Sequence, residues 1–492
     1  MNYIIGTPRD QQTFLSQTFD DLVNEDNPVR FIDAYVNQLD IQKLGFVTAV
    51  NTTGRPPYHP GLFIKGYLYA YLNKIRTSRR IQNEFKRNVE LIWLAEGLQP
   101  DFRTISDFRK INAKALKNLF KEFLLLCKKL DLISMETVGV DGTKIRAQNN
   151  ITNVFHRENI DELINKIDEK IAEYLQELDA NDSREDNPIV LNAEKVAQQI
   201  KTLKKQRDKM EQAKAAFDEN PEQNVVFATY QDSRMMSDKG KIRPGYNPQT
   251  ATDAKHKLLV VGEVTQDAND LHQMTPMLGS ISQTKKELGI ETRTTVELDS
   301  GYHCEEEVLK HKDSREFDIV TPSPKDSPKK QNPDSVPRKE YKADKFKYDQ
   351  QTDSYVCPGG KTLCRITPDG GAMVNGRRLE TYQCKGCASC DKRELCKRGE
   401  AGRAISHSVN HQEMEAFRNK MKTADYVAKI NQRKELCEHP FGTLKRGFGF
   451  DHFLLKGIEK VQGEFSLMCC VYNIRRVLSI VGVAGLLSAL RV

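Results

Sequence analysis

No stretch of the sequence is an uninterrupted apolar run of the roughly 20 residues that a membrane-spanning helix needs. The first residues, MNYIIGTPRDQQ, also lack the positively charged start and long apolar stretch of a secretory signal peptide. A strong net charge is absent as well, because 75 Lys and Arg stand against 68 Asp and Glu, a formal charge of +7. We therefore expect a cytoplasmic protein with no membrane partner, in which polyanion binding depends on local clusters of charge.

The first 130 residues have the pattern of a helical domain. Apolar residues recur every three to four positions in LFIKGYLYAYLNKI and in ALKNLFKEFLLLCKKL. From about Thr53 to Leu130, Lys and Arg far outnumber Asp and Glu, including the run KIRTSRR at 74–80. The pattern predicts an all-α DNA-binding domain over 1–130, and the alternative is a helical scaffold with a solvated basic face.

Strands and helices alternate over 131–322, which predicts an α/β core. The segments ISMETVGVDG and TRTTVELDSG alternate apolar and polar residues, and their last acids are Asp141 and Asp299. A helical pair with an apolar stripe interrupts this core at about 155–220, as an inserted hairpin.

The two strand-end acids have the chemistry of a metal site. Small residues follow each of them, Gly142 after Asp141 and Ser300 with Gly301 after Asp299, which leaves space for a ligand. On adjacent strands the two carboxylates would repel each other unless a cation such as Mg²⁺ lay between them. Two such ions about 4 Å apart suit phosphodiester chemistry. The other interpretation is that each aspartate caps a loop.

A third acid, Glu438, stands in NQRKELCEHPFGTLKR among Arg433, Lys434, Lys445 and Arg446. It is either a solvated helix glutamate with ion-pair partners or a metal-binding carboxylate in a groove made basic to hold a polyanion.

In this order, VGVDGTKIRA, GYNPQTATDAKHKLLVVGEVTQDANDLHQ, VELDSGYH and EHPFGTLKR resemble the DDE transposases of bacterial insertion sequences. The stretch from YHPGLFIKGYLYAYL to TISDFRKIN resembles their N-terminal helical domain. The resemblance implies a ribonuclease H-like mixed sheet that carries the helical hairpin and a cysteine-rich module as insertions. It also implies a catalytic triad of Asp141, Asp299 and Glu438 that binds two Mg²⁺ ions.

The family signature is Tyr, Arg, Glu and Lys, in this order. This chain departs from it at the two positions that precede the glutamate. Asn431 stands at the Tyr position and Lys434 at the Arg position, while Arg433 points about 100° away on a helix. Which of the two basic residues grips phosphate stays open. Lys445 lies seven residues after Glu438 and so faces the same groove on a helix, although Pro440 predicts a helix start or kink near His439.

Six of the eleven cysteines lie in CPGGKTLC and YQCKGCASCDKRELC, after a Pro-rich basic linker, in a predicted insertion over 323–410. Paired CxxC spacing suits zinc, and we expect the ligands to be Cys357, Cys387, Cys390 and Cys396, with Cys384 the first alternative and Cys364 also in reserve. An iron–sulfur cluster is the competing interpretation. The remaining segment, 411–492, has a helical pattern that completes the core.

The resemblance implies a transposase that cuts double-stranded DNA at the terminal inverted repeats of its element and transfers the released 3′-hydroxyl to a target phosphate. A homodimer in the active complex and association with the nucleoid are further expectations. Asn247, Gln249 and Asp253 either lie beside the site or contact DNA, or they only cap a turn. Two other functions stay open: an inactive zinc-containing DNA-binding protein derived from a transposase, and a stand-alone nuclease.

Overall fold

The computed structural model describes residues 18–47, 56–148, 154–182, 190–219, 225–227, 232–238, 240–324, 337–374, 377–396 and 402–491. Two units are distinguished: unit 1 comprises Met1–Glu297 with Gln432–Val492, and unit 2 comprises Leu298–Asn431. The N-terminal dodecapeptide, the break of the predicted hairpin and most of the Pro-rich linker lie outside the described residues.

The described residues before 131 form six α-helices: α1 (Pro28–Gln38), α2 (Pro60–Leu72), α3 (Ser78–Arg87), α4 (Val89–Leu94), α5 (Phe102–Ile111) and α6 (Ala113–Lys129). Side-chain caps explain several starts, since Asn27 accepts a hydrogen bond from the Val29 amide and Asp101 accepts from those of Arg103 and Thr104. This region is helical, as the sequence pattern predicted.

The next segment forms the sheet of unit 1 and the elements beside it. In chain order these are β1 (Thr137–Gly142), β2 (Ile145–Arg146), β3 (Val154–His156), α7 (Ile160–Asp182), α8 (Val190–Glu219), β4 (Val225–Phe227), β5 (Arg234–Asp238), β6 (Lys241–Asp253), β7 (Leu259–Thr265), α9 (Met274–Leu288) and β8 (Thr294–Glu297). The sheet is mixed, because β1 pairs antiparallel with β6 and parallel with β8.

Strand β6 organises this sheet through its length. Its last seven residues pair with β1 and β7, and its first half pairs with β5 and β2. One continuous strand therefore joins the buried sheet centre to an exposed hairpin formed with β5. Helices α7 and α8 pack together through Ile167, Ile171, Val196 and Ile200, and β3 pairs with β4 at their base.

Unit 2 contains an antiparallel sheet with short helices. Its elements are α10 (Glu305–His311), β9 (Phe317–Val320), β10 (Lys347–Asp349), β11 (Ser354–Val356), β12 (Thr362–Arg365), β13 (Ala372–Val374), β14 (Arg377–Gln383), α11 (Arg393–Cys396), β15 (Ala404–Ser408) and α12 (His411–Met421). Strands β10 to β15 form one sheet in the order β10-β11-β12-β14-β13, with β15 also paired to β14. The cysteine-rich segment is thus built on an antiparallel sheet.

Two helices complete the chain: α13 (Ala424–Gly442), which a π-helical turn follows over Thr443–Gly447, and α14 (Ile458–Leu490). α14 packs on α6 at a glycine, since a Cβ on Gly463 would lie 2.5 Å from the Ala113 Cα. The fully buried Glu464 of α14 accepts hydrogen bonds from the Leu454 and Leu455 amides and pairs with Arg76 at 3.3 Å. The N-terminal helices and α14 therefore share one core.

α14 corrects the expectation that no segment is long and apolar enough to span a membrane. Among the described residues, this one helix passes that test by length and composition. Its first half is buried in unit 1 and carries the ion-paired Glu464, so its apolar character is that of a core helix. The interrupting charges hid this length from a search for continuous apolar runs.

Candidate active site

Asp141 lies near the end of β1, on the face of the sheet that α13 covers. Val138 and Val140 are fully buried on the opposite face. Gly139 shares the face of Asp141, and a Cβ there would lie 3.0 Å from the Cys437 Sγ. The glycine thus allows α13 to approach β1 closely, and the Gly142 amide donates to Asp141 Oδ1 at 2.9 Å.

Arg433 reaches Asp141 from α13. Its Nη1 lies 3.6 Å from Asp141 Oδ2, and its side chain is 15% exposed. Cys437, one helical turn later, is buried, and burial together with the Asp141 charge raises its pKa to about 12. Lys434 is exposed on a different face of the helix. Of the two basic residues that the sequence left open, Arg433 is the one that contacts an acid of the predicted triad.

Helix α13 continues through Pro440 instead of starting or stopping near His439. The irregularity comes later, in the π-helical turn over Thr443–Gly447, which carries Lys445. Because proline cannot donate an amide hydrogen bond to the preceding turn, it weakens the regular pattern just before this change. Lys445 Nζ donates to the Lys144 carbonyl at 2.7 Å, which ties the π-helical turn to the segment after β1.

Asp141, Glu438 and Lys445 line one cavity of about 800 Å³ in unit 1. The cavity is lined by six basic side chains in all, Lys445 included: Lys144, Arg146, Lys241, Arg243, Lys445 and Arg446. Sequence reasoning had singled out only Lys445 and Arg446 of these, because the others come from distant elements. The alternation of Lys and Arg around Ile242 was the available signal, since such residues share one face of a strand.

Asp299 belongs to unit 2. It caps the short 3₁₀ helix over Ser300–Tyr302, where its Oδ1 accepts from the Gly301 amide at 2.7 Å. Its carbonyl accepts from the Thr321 hydroxyl, and the adjacent Leu298 amide donates to Val320 at 2.8 Å. The convergence of Asp299 with Asp141 and Glu438 stays a prediction.

Asn247 and Gln249 support the end of β1 from the other face of the sheet. Each amide donates to Oδ1 of Asp270 at 2.7 Å, and Lys144 Nζ lies 3.7 Å from the same oxygen. Gly142 makes room for this network, since a Cβ there would lie 2.3 Å from the Gln249 Nε2. Asp270 was not predicted from the sequence, because its partners lie more than 20 residues away.

Asp253 has a backbone-capping role in the structure. Its carboxylate accepts from the Met135 amide at 2.7 Å and from the Lys255 amide at 3.2 Å, and it is fully buried. Burial raises its pKa above the usual value, and these backbone amides oppose the shift. It therefore holds the turns that flank β1 and β6 together, in line with the capping alternative.

Five cysteines in unit 2 line a separate cavity of about 30 Å³: Cys357, Cys384, Cys387, Cys390 and Cys396. The Lys361 amide donates to Cys357 Sγ and the Arg403 amide to Cys387 Sγ. Cys384 is buried, which raises its pKa to about 11, whereas Cys364 is exposed and does not line the cavity. Within the described ranges, no group of three or more His, Cys, Asp or Glu is arranged to hold a metal ion.

Comparison with known proteins gives two family matches. A model described as "Transposase DDE domain" matches residues 356–478, and one described as "Transposase domain (DUF772)" matches residues 17–111. The first includes Glu438 and the cysteine segment, while Asp141 and Asp299 lie between the two matches. No curated protein was found to match the chain. A transposase domain toward the N-terminal end and a DDE domain toward the C-terminal end are together the domains that match a DDE transposase of an insertion sequence.

Proposed function

We propose that this transposase binds the ends of its mobile element and catalyses metal-dependent DNA cleavage and strand transfer. Asp141, Asp299 and Glu438 are its catalytic carboxylates. The observation that carries this proposal is the cavity of unit 1, where Asp141 and Glu438 lie among six basic side chains. Carboxylates surrounded by cations suit a reaction on a phosphodiester, which brings both phosphate charge and metal ions to one place.

The register of unit 1 supports the inclusion of Asp299. Strands β1 and β8 run parallel, with Gly139 opposite Glu297. Asp141 lies two residues after Gly139, and Asp299 lies two residues after Glu297. Each aspartate thus lies two residues after its member of the Gly139–Glu297 pair. Equal spacing of this kind is expected for acids that serve one site at the carboxyl ends of parallel strands.

Two Mg²⁺ ions are the cofactor that we propose for the three carboxylates, because this hard cation prefers oxygen ligands. The Asp141 carboxylate lies 3.6 Å from the Arg433 guanidinium, so positive charge is favourable next to this carboxylate. When bound, the ions would supply charge stabilisation for the attacking and leaving oxygens. Asp141, Asp299 and Glu438 would hold them.

Lys445 and Arg433 orient the DNA backbone in this proposal. Lys445 lies in the cavity and is positioned by the Lys144 carbonyl, so its ammonium can donate to a phosphate oxygen. Arg433 neutralises Asp141 before DNA binds, and its guanidinium can grip phosphate in two places. Lys434 would contact DNA only outside the cavity.

The wider organisation follows the family resemblance. The sheet of unit 1 is the first part of a ribonuclease H-like core over 131–322, completed by the helices of 411–492. The helices of 1–130 recognise the terminal inverted repeats, and the hairpin at about 155–220 and the segment 323–410 are insertions. Two copies of the chain act together on element ends and target DNA, in the nucleoid.

Zinc in the cysteine cavity is the structural part of the proposal. Five thiols around about 30 Å³ support it, as do the hydrogen bonds that Cys357 and Cys387 accept from backbone amides. The ligands that we propose are Cys357, Cys387, Cys390 and Cys396, which are half-buried, and the fully buried Cys384 is the alternative.

Elemental analysis of the purified protein tests this part. Cys390→Ser should abolish the expected one zinc per chain, and Cys364→Ser should retain it as the matched control. Iron with visible absorption would instead indicate a cluster, and a wild-type protein without stoichiometric metal would refute the site.

The catalytic proposal is tested on a supercoiled plasmid that carries the DNA flanking the gene, with Mg²⁺ present. We expect nicks at the element ends and joined products. Cleavage without joining would favour a stand-alone nuclease. Binding with neither cleavage nor joining would favour an inactive DNA-binding descendant.

A further inference from the structure

Some of the cations that line the cavity of unit 1 pair with other groups of the protein, and others do not. Arg146 pairs with Asp451 at 2.7 Å, and Lys144 lies 3.7 Å from Asp270. Lys445 donates to the Lys144 carbonyl. These three therefore already have partners within the protein.

Lys241, Arg243 and Arg446 line the same cavity without such partners. All three are exposed, and within the described part of the chain none of them forms an ion pair or a side-chain hydrogen bond. Exposed cations that converge on a cavity beside carboxylates repel one another, which costs free energy unless an anion is bound. Their arrangement therefore indicates a polyanionic ligand.

The hairpin of β5 and β6 fixes two of these cations. Lys241 and Arg243 alternate on β6, so their side chains share one face, opposite Asp238 and Met236 of β5. The exposed Ile242 between them points to the other face. Strand β6 then continues to Thr250, which pairs with Asp141, so one strand connects the cations to the acid.

Arg446 lines the cavity from a different element. It follows Lys445 in the π-helical turn, which packs through the buried Leu444. The hairpin and this turn thus supply cations from two elements that are separated by about 200 residues in sequence. A chain of phosphates crossing the cavity can contact both elements at once.

We infer that Lys241, Arg243 and Arg446 form a track for the phosphate backbone of duplex DNA beside the catalytic carboxylates. This inference rests on the proposed function, and it names the contacts that hold the substrate rather than those that react with it. Because the three cations face phosphates, they should act on every DNA sequence alike.

Fluorescence anisotropy without divalent metal tests the track. The probes are a labelled duplex from the DNA flanking the gene and a scrambled duplex of equal length, each titrated between 50 and 200 mM NaCl. Each phosphate contact contributes about 0.9 to the slope of log K against log salt. We expect Lys241→Ala, Arg243→Ala and Arg446→Ala each to reduce the slope by about 1, and the triple variant by about 3, on both duplexes.

The matched control removes three exposed lysines of α8: Lys201, Lys204 and Lys205. This control removes as many positive charges as the triple variant does. Because its three lysines do not line the cavity, it should leave the slope near the wild-type value. The inference is overturned if the triple variant keeps the wild-type slope or matches the control. Conservative Gln variants at the same positions repeat the test if an Ala variant unfolds. Since binding needs no cleavage, a reduced slope would support the track even if the catalytic proposal failed.

Discussion

The guanidinium of Arg433 lies 3.6 Å from the carboxylate of Asp141, across the contact between α13 and β1. This contact exists because Gly139 leaves space for Leu436 and Cys437 to pack on the strand. Helix packing thus determines which basic residue meets the acid, and Lys434 is left exposed.

Replacing Arg433 should therefore affect catalysis more than replacing Lys434. We expect Arg433→Ala to slow cleavage of element ends about tenfold or more, a change of roughly 1.4 kcal/mol, since it removes a mostly buried cation that lies 3.6 Å from the Asp141 carboxylate. Lys434→Ala is the matched control and should stay within about twofold, because an exposed charge contributes little. Initial rates of plasmid nicking measure both. Equal losses would show that the Asp141 contact is unimportant.

Gly142 should not tolerate a side chain. In Gly142→Ala the new Cβ would lie 2.3 Å from Gln249 Nε2 and 2.6 Å from Asp270 Oδ1. We expect the free energy of unfolding to fall by about 1–3 kcal/mol, because the network has to shift. Urea unfolding measures the change.

Gly279→Ala is the control for this substitution, because Gly279 lies in α9 with nothing within 4 Å of a new Cβ. It should raise the free energy of unfolding by about 0.5–1 kcal/mol. If Gly142→Ala left the free energy of unfolding unchanged, the hydrogen-bond network around Asp270 would not position the segment after β1.

The parts of the site that could be predicted from the sequence depend on local patterns, and the parts that could not depend on tertiary packing. Period-two alternation was enough to predict a strand ending near Asp141, since burial of Val138 and Val140 is a local pattern. The choice between Arg433 and Lys434 was not predictable, because it depends on which helix face meets the sheet. Asp270 was missed because its amide partners on β6 are brought near it by the pairing of β6 with β7, the strand that precedes Asp270.

The fold shows the same division. The helices of the first 130 residues and the α7–α8 pair follow from apolar spacing of three to four. The course of α13 through Pro440 does not, because tertiary packing of Leu436 and Leu444 outweighs the local preference of proline. Likewise, α14 was not predicted as one element, since Glu464, Arg475 and Arg476 interrupt its apolar sequence and its backbone is non-helical at Gly482.

The buried pair of Arg76 and Glu464 should stabilise unit 1 strongly. Glu464 is fully buried, so Arg76→Met would leave its charge without a counterion. We expect a loss of about 3–5 kcal/mol in the free energy of unfolding, measured by urea titration.

The control for Arg76→Met is Lys110→Met, which breaks an exposed pair with Asp107 and should cost less than about 1 kcal/mol. If the two variants were equally stable, the buried pair would not support the packing of α14.

The lowered pKa of Asp318 should make the stability of unit 2 depend on pH. Burial acts to raise its pKa, but hydrogen bonds from Lys420 and Tyr426 outweigh burial and leave the pKa below the usual value. The carboxylate therefore stabilises the folded state above the unfolded pKa of about 3.9, and this stabilisation is lost as pH falls through the lower, folded pKa.

Urea unfolding of wild type and Asp318→Asn between pH 7 and pH 3 measures this contribution. The difference in unfolding free energy should be constant above about pH 5 and should shrink below it. Asp313→Asn is the control, since that side chain is 84% exposed and should matter little at any pH. A difference that grows as pH falls would contradict the assignment.

The most direct test of the central claim is the Mg²⁺-dependent nicking of a plasmid with the element ends by wild type, Asp141→Ala, Asp299→Ala, Glu438→Ala and Glu435→Ala. Glu435 is the matched control, because it is exposed on α13 three residues before Glu438 and does not line the cavity. The account predicts that the three triad variants lose nicking while Glu435→Ala retains it. Wild-type activity in Asp141→Ala would contradict it.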